Sequence, residues 1–365
     1  MKICFLAAAN SVHSKKWFEY FVNKGHEIHW ISLTQDSFSA SKNTEFHLIK
    51  NFKLKPLNIL FNALFIRKLV KRINPDVLHA HYAGVYGVLG ALSGFHPLII
   101  TAWGSDVLIT AKSKIRKPLI KFALDKADLI TCNGEPLKKA MKKMGVSSHK
   151  IKFIYWATDI EKFRHSPKDM ELKKELKLFD CPVIISVRSL EPAYDIETLI
   201  KALPSVLKEF PMVKLIIGGQ GSREKNLKKL AQELGISESI RFVGMIPHDD
   251  MPKFFNSSDI YVSTSLSDGD LSQSTQQAMA CELPIITTDI EVNKKRIKNG
   301  ENGFIVPIKN PQSLSEKIII LLKDEKLRTE LGKEGRKTIE DKLNYHKEME
   351  KAESLYKELV NSYKK

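Results

Sequence analysis

Cysteine is scarce in this 365-residue chain: Cys4, Cys132, Cys181 and Cys281 stand far apart, and no C-x-x-C spacing links them. That excludes a disulfide framework and a cysteine-rich zinc module. Cys4 lies in an apolar, strand-like run, where a thiol reads as a small buried hydrophobe. Long apolar runs are missing too. The best of them, 57–66, is too short to cross a bilayer and abuts Arg67 and Lys68. The apolar run at 3–9 is short and leads straight into Asn10, Ser11 and a basic helix, the pattern of a first β-strand rather than of a secretory leader. The expected location is cytoplasmic, with the inner face of the cell membrane as a peripheral site.

Acidic residues are scarce in one half only. Residues 1–150 hold 23 Lys and Arg against 9 Asp and Glu, whereas the remainder holds 35 against 33. A basic half points to an anionic partner (a membrane surface, a phosphorylated substrate or nucleic acid) or else to a lysine-rich solvated face. Nucleic acid is set aside, because the cations are spread among the fold's elements and no nucleic-acid motif accompanies them.

Short apolar runs alternate with amphipathic stretches. In the first half, strands are predicted at 2–8, 27–32, 77–81, 98–102, 128–132 and 152–154. Helices are predicted between them at 15–24, 57–73, 84–94, 116–126 and 136–144. This repeated β-α-β order implies a parallel sheet covered on both faces. The pattern stops in the charged segment 157–180, read as a linker. It restarts with strands at 183–187, 214–218, 240–243, 259–263, 284–288 and 303–306, and helices at 196–210, 226–234, 251–256, 274–281 and 311–322. The tail from 325 is helical by period. The fold class is therefore α/β, with two consecutive Rossmann-like doubly wound domains: 1–160, then 161–340, then a C-terminal helix over 341–365 that packs back on the first domain. Ligands in such folds sit at the carboxyl ends of the strands, so the cleft the two domains face is the place to look for chemistry.

The most informative stretch runs from Ser263 to Thr288. A strand leads into the polar loop Ser267-Asp268-Gly269-Asp270-Leu271-Ser272, then a helix containing Gln276-Gln277-Ala278-Met279-Ala280, then Leu283-Pro284-Ile285-Ile286. Backbone N–H groups before a helix can hold a pyrophosphate, and an acid with a nearby amide can bond sugar hydroxyls. An ordinary N-capping loop would have the same composition, and the residue chemistry alone does not separate the two.

This stretch resembles the signature of glycosyltransferase family 4. The resemblance extends over most of the chain, through His79-Ala80-His81-Tyr82, Thr101-Ala102-Trp103-Gly104-Ser105-Asp106, Arg188-Ser189-Leu190-Glu191-Pro192, Gly218-Gly219-Gln220-Gly221, Val243-Gly244-Met245-Ile246 and Asn299-Gly300-Glu301-Asn302-Gly303. It implies the two-domain GT-B fold and a retaining transfer of sugar from a nucleoside-diphosphate sugar to a hydroxyl acceptor, lipid-linked or saccharide. No cofactor or metal is implied for the step.

Position by position, the resemblance implies that Arg188 neutralises the donor pyrophosphate. The turn Gly244-Met245-Ile246, with Gly219, would meet the nucleotide. Asp268 would face the sugar, with Asp270 as its rival. Gly269 and Asp270 would shape the phosphate loop, and Leu271 and Ser272 would offer N–H groups to it. Gln277 would hold the ribose, and Asp106, Ser105 and the turn 9–14 would line the acceptor side. The sequence departs from the family where Gln277 replaces a common Glu, Trp103 a common His and Tyr194 stands near a missing Lys. Two rival readings follow: a sugar-nucleotide epimerase of the same fold, and a silent nucleotide-sugar-binding subunit. His79 and His81 alternate at strand period and share a face; hydrogen-bonded strand-end histidines are expected there rather than a metal pair. Trp17, Phe18, Tyr20 and Phe21 read as a helix's core stripe.

Overall fold

The structure, a computed structural model, describes residues 1–35, 43–49, 58–179 and 181–364. The stretch 50–57, with Lys50, Lys53 and Lys55 among the cations of the basic half, lies outside the described residues. The chain divides into two compact units, Met1–Tyr155 with His346–Lys365, and Trp156–Tyr345. No helix among the described residues is long and apolar enough to cross a membrane.

The first unit runs β1 (Lys2–Leu6), α1 (Val12–Asn23), β2 (Glu27–Ser32), β3 (Thr44–Leu48), α2 (Asn58–Ile73), β4 (Val77–His81) and α3 (Val85–Ser93). It continues with β5 (Leu98–Ala102), α4 (Ser105–Leu108), α5 (Arg116–Lys126), β6 (Leu129–Cys132), α6 (Glu135–Lys143) and β7 (Ile151–Phe153). Among the described residues of this unit, seven strands run parallel in the order β3-β2-β1-β4-β5-β6-β7. The central strands β4 and β5 are buried along their whole length, as parallel strands covered on both faces must be.

One face of this sheet packs on α2, α3 and α5 through Ile66, Leu69, Val88, Leu89 and Ile120. On the other face lie Phe5 and the aromatic stripe of α1, with Phe21 stacked 4.9 Å from Tyr356 of the last helix. Strand β3 is absent from the sequence reading. Its Thr-Glu-Phe-His-Leu is half-exposed at a sheet edge, so it lacks the apolar run that identified the inner strands.

The second unit runs α7 (Met170–Glu175), β8 (Val183–Val187), α8 (Ile196–Glu209), β9 (Lys214–Gly218), α9 (Glu224–Glu233), β10 (Ile240–Gly244) and α10 (Met251–Asn256). It continues with β11 (Ile260–Ser263), α11 (Gln273–Ala280), β12 (Ile285–Thr288), α12 (Glu291–Arg296), β13 (Phe304–Val306), α13 (Pro311–Lys323) and α14 (Glu325–Lys342). The last helix, α15 (Tyr345–Lys364), returns to the first unit. The six strands are parallel in the order β10-β9-β8-β11-β12-β13. The order reverses between β8 and β11, and a crevice opens at the carboxyl ends of strands at such a switch point.

The segment 157–180 is not a free linker. Its Phe163 is buried against Phe255, Leu178 is buried, and Ser166 N–H donates to Asn256 Oδ1 at 2.9 Å. Two apolar side chains suffice to dock it on the second unit, but they are too few to register as a periodic pattern among so many charges.

Candidate active site

Two neighbouring loops, at the carboxyl ends of β8 and β11, converge on one guanidinium. Arg188 follows β8, and its Nη2 donates to Asp268 Oδ1 at 2.5 Å. The two side chains are 9% and 14% exposed. The guanidinium lies over the Tyr194 ring, 4.3 Å from its centroid. Its Nε is buried without a hydrogen-bond partner. The pair is thus strong on one edge of the planar cation and unsatisfied on another, an arrangement ready for a further anion.

The backbone explains why these loops meet. Leu266 N–H donates to Ala193 O at 2.8 Å, and Thr264 Oγ1–H to Tyr194 O at 3.0 Å, sewing the β11 loop to the turn that carries Tyr194. Arg188 N–H donates to Gly218 O at 3.0 Å, and Gly219 N–H to Gly244 O at 2.7 Å. Gly219 has φ +135°, and a Cβ there would fall 2.0 Å from Arg188 O. The missing side chain thus lets the chain pack closely behind Arg188. Gly244, also left-handed at φ +70°, turns the chain so that Met245 is 68% exposed while Ile246 is buried over Gly218.

In the loop before α11 the two acids separate. Asp268 faces Arg188, whereas Asp270 Oδ1 accepts from Leu271 N–H at 2.9 Å and Asp270 Oδ2 lies 3.5 Å from Arg296 Nη2. Asp268, not Asp270, is the acid on the guanidinium. The amide of Leu271, expected to face a phosphate, is taken by Asp270. Ser272 caps α11, its Oγ accepting from Thr275 N–H at 3.2 Å, and the amides that open a helix have no partner within it. Gly269 is exposed, with open space where a Cβ would stand. Gln277 lies buried on the second turn of α11; its neighbour Gln276 is turned inward, donating to Leu271 O at 2.7 Å.

In the first unit Asp106 stands where the loops after β4 and β5 meet. It is 0% exposed, and its carboxylate accepts from the amides of Ala83 (2.8 Å), Gly104 (2.9 Å), Val107 (2.9 Å) and Trp103 (3.2 Å). It is a positioning residue that holds the loops after β4 and β5 together. The turn after β1 is held likewise: Ala9 N–H donates to Ser32 Oγ and Thr34 Oγ1, both at 3.0 Å. Trp103 packs edge-on to His13 at 5.1 Å and against His81 at 5.6 Å.

His79 and His81 do share a face and are fully hydrogen-bonded. Tyr356 hydroxyl meets His79 Nδ1, His79 Nε2 pairs with Thr101 Oγ1 at 2.6 Å, and His81 Nδ1 with Ser14 Oγ at 3.0 Å. Burial drives both imidazoles toward the neutral form, His81 down to about 3 and His79 well below its ordinary value.

Two groups near the loop were not found by sequence reading. Arg296 arrives on α12, a helix without a strong apolar period. Tyr194 lies beside a position where the family resemblance implied a lysine, and nothing in its spacing signals a stacked guanidinium.

Residues 168–338 match the family described as glycosyl transferases group 1, and residues 2–134 match glycosyl transferase 4-like. The chain is 30% identical to the capsular polysaccharide biosynthesis glycosyltransferase CapM of Staphylococcus aureus over 357 residues, 93% of this chain and 91% of the relative. It is 22% identical to the N-acetyl-alpha-D-glucosaminyl L-malate synthase of Bacillus anthracis over 356 residues, 93% and 91% of the two chains. The fold matches Anabaena Alr3699/HepE in complex with UDP, with a TM-score of 0.78 at 19% identity over 97% of this chain and 99% of that one.

Proposed function

The chain belongs to the group 1 glycosyltransferases, and from that premise we propose that it moves a sugar from a nucleoside-diphosphate sugar to a lipid-linked or saccharide hydroxyl, with retention of configuration. The observation that carries the reading is the half-satisfied guanidinium of Arg188, clamped by Asp268 and Tyr194 beside the start of α11. A departing diphosphate needs neutralisation as its charge develops, and a fixed planar cation beside helix N–H groups supplies it without reorganisation. That the relative HepE is seen with UDP and with UDP-glucose supports a nucleotide-sugar donor.

In this reading the donor's phosphates bond the Arg188 guanidinium, and Asp268 accepts from a sugar hydroxyl. The acceptor oxygen attacks the anomeric carbon on the face the phosphate leaves. The carbon–oxygen bond to phosphate breaks, and the acceptor's proton passes to the leaving phosphate oxygen. The protein's part is positioning and charge stabilisation, with no protein nucleophile. No metal is needed for the step on this reading, since Arg188 and the α11 amides take the charge.

For the acceptor, we read the first unit as a surface for an anionic membrane. Helix α2 buries Ala63, Ile66, Leu69 and Val70, yet its other face exposes Leu60, Phe61, Leu64 and Phe65. A helix apolar on both sides is expected in a core, not at a surface. Arg67, Lys68, Lys71 and Arg72 follow on the exposed side. A cavity of about 510 Å³ opens beside it, lined by Ile59, Val85, Val88, Ile115, Arg116 and Leu119. Apolar side chains ringed by cations suit a lipid acceptor at an anionic leaflet.

The test is a panel of nucleotide sugars by thermal shift, followed by NMR of the product's anomeric proton. A stabilising nucleotide sugar and a product of the donor's own anomeric configuration are expected. An inverted product, or an epimerised sugar formed without acceptor, would overturn the reading.

A further inference from the structure

Three side chains at the edge of the N-terminal sheet aim their donor atoms at one point. Strands β2 and β3 pair with His29 opposite Glu45 and Ile31 opposite His47. The two-residue period puts His29, Glu45, His47 and also Glu27 on the same face. His29 Nδ1 is 3.2 Å from His47 Nε2 and 3.3 Å from Glu45 Oε2. One donor atom from each of the three lies within 4.8 Å of the others. Two ligand atoms bound at about 2.0–2.1 Å in a tetrahedral zinc site are separated by about 3.3 Å. The two spacings from His29 Nδ1 are those of ligands around a shared centre, and the third lies within reach of it.

On the far side of the ring, His29 Nε2 lies 3.2 Å from Glu27 Oε1, so a carboxylate holds the ring with Nδ1 toward Glu45 and His47. A histidine whose far nitrogen donates to a carboxylate is also the usual orientation of a metal ligand. The groups facing the cluster are Lys2, 3.1 Å from Glu27 Oε1, and Arg72, whose field reaches His47.

We propose that His29 Nδ1, His47 Nε2 and Glu45 Oε2 bind a zinc-class divalent ion, with water in a fourth position and Glu27 orienting His29. Two imidazoles and one carboxylate suit zinc and its first-row neighbours rather than calcium or magnesium. The ion clasps β3 to β2, and β3 is the edge strand of the sheet. Edge strands carry unpaired backbone groups, so a crosslink there stabilises a strand held to the sheet on one side alone.

Cobalt(II) serves as the probe, added to the full, untagged, chelator-stripped chain. One equivalent should bind with the visible absorption of a low-coordinate nitrogen–oxygen site and be displaced by one equivalent of zinc. His47→Gln should weaken binding at least 100-fold, and Glu27→Gln about tenfold. Zinc should raise the melting temperature of the parent chain and leave that of His47→Gln unchanged. Glu45 is 61% exposed, so Glu45→Gln tests the same ligand set without disturbing the fold. Cobalt or zinc binding of equal strength in the parent, His47→Gln and Glu45→Gln would assign the ion to others of the chain's 11 histidines and overturn the proposal. The absence of any one-equivalent binding would do the same.

Discussion

Arg188 and Asp268, 80 residues apart in sequence, are joined by a 2.5 Å hydrogen bond, with the guanidinium carbon 4.3 Å from the centroid of the Tyr194 ring. The bond ties the turn after β8 to the loop before α11.

Replacing Arg188 should therefore remove catalysis rather than the fold. Arg188→Ala is expected to cost on the order of 2–4 kcal/mol of transition-state stabilisation, roughly 30- to 900-fold in kcat. Arg188→Lys should recover little, because an ammonium neither stacks flat on Tyr194 nor bonds along two edges. Steady-state kinetics with matched thermal melts check this; unchanged turnover in Arg188→Ala would remove the residue from the site.

Asp106→Ala should behave in the opposite way. Four backbone amides lose their acceptor in a fully buried position, at about 1–3 kcal/mol for each donor left unsatisfied. A fall in melting temperature is expected, with Asp106→Asn intermediate. Full stability with lost turnover would instead mean that Asp106 touches substrate.

The buried histidines predict acid sensitivity. His79 and His81 have depressed pKa values in the folded chain, so below about 6.5 the unfolded chain binds more protons. Their contribution is fully present above that pH and is lost as pH falls toward about 3, where His81 protonates in the fold as well. Thermal melts from pH 8 to 4 should show this slope, and His81→Gln should flatten it.

Chelation should leave transfer running, because Arg188 and the α11 amides are read as the charge-neutralising groups. Turnover measured with and without EDTA decides the matter. Complete inhibition restored by a divalent ion, seen equally in His47→Gln, would reassign Asp268 and Asp270 to metal.

Liposome co-sedimentation tests the α2 face. Binding should rise with anionic lipid, fall with salt, and drop in a Leu60→Gln/Leu64→Gln double variant. Equal, negligible binding to neutral and anionic vesicles at low salt would favour a soluble acceptor.

The alternation of strands and helices, and thus two doubly wound units, was legible in the sequence. Strands buried on both faces of a parallel sheet must be continuous apolar runs, and they announce themselves. Arg188 and the loop 267–272 were singled out in the sequence by their resemblance to family motifs, at the ends of strands that define the ligand side. The rest depended on partners distant in sequence. Asp106 became a loop clamp only when the fold brought Ala83 to it, 23 residues away. Asp268 and Asp270 differ by two positions and were separated only by which cation each meets. The His29–Glu45–His47 cluster needed the register of a half-exposed edge strand whose composition carries no strand signal. Local propensity is written along the chain, whereas charge pairing and ligand convergence are properties of distances that only packing sets.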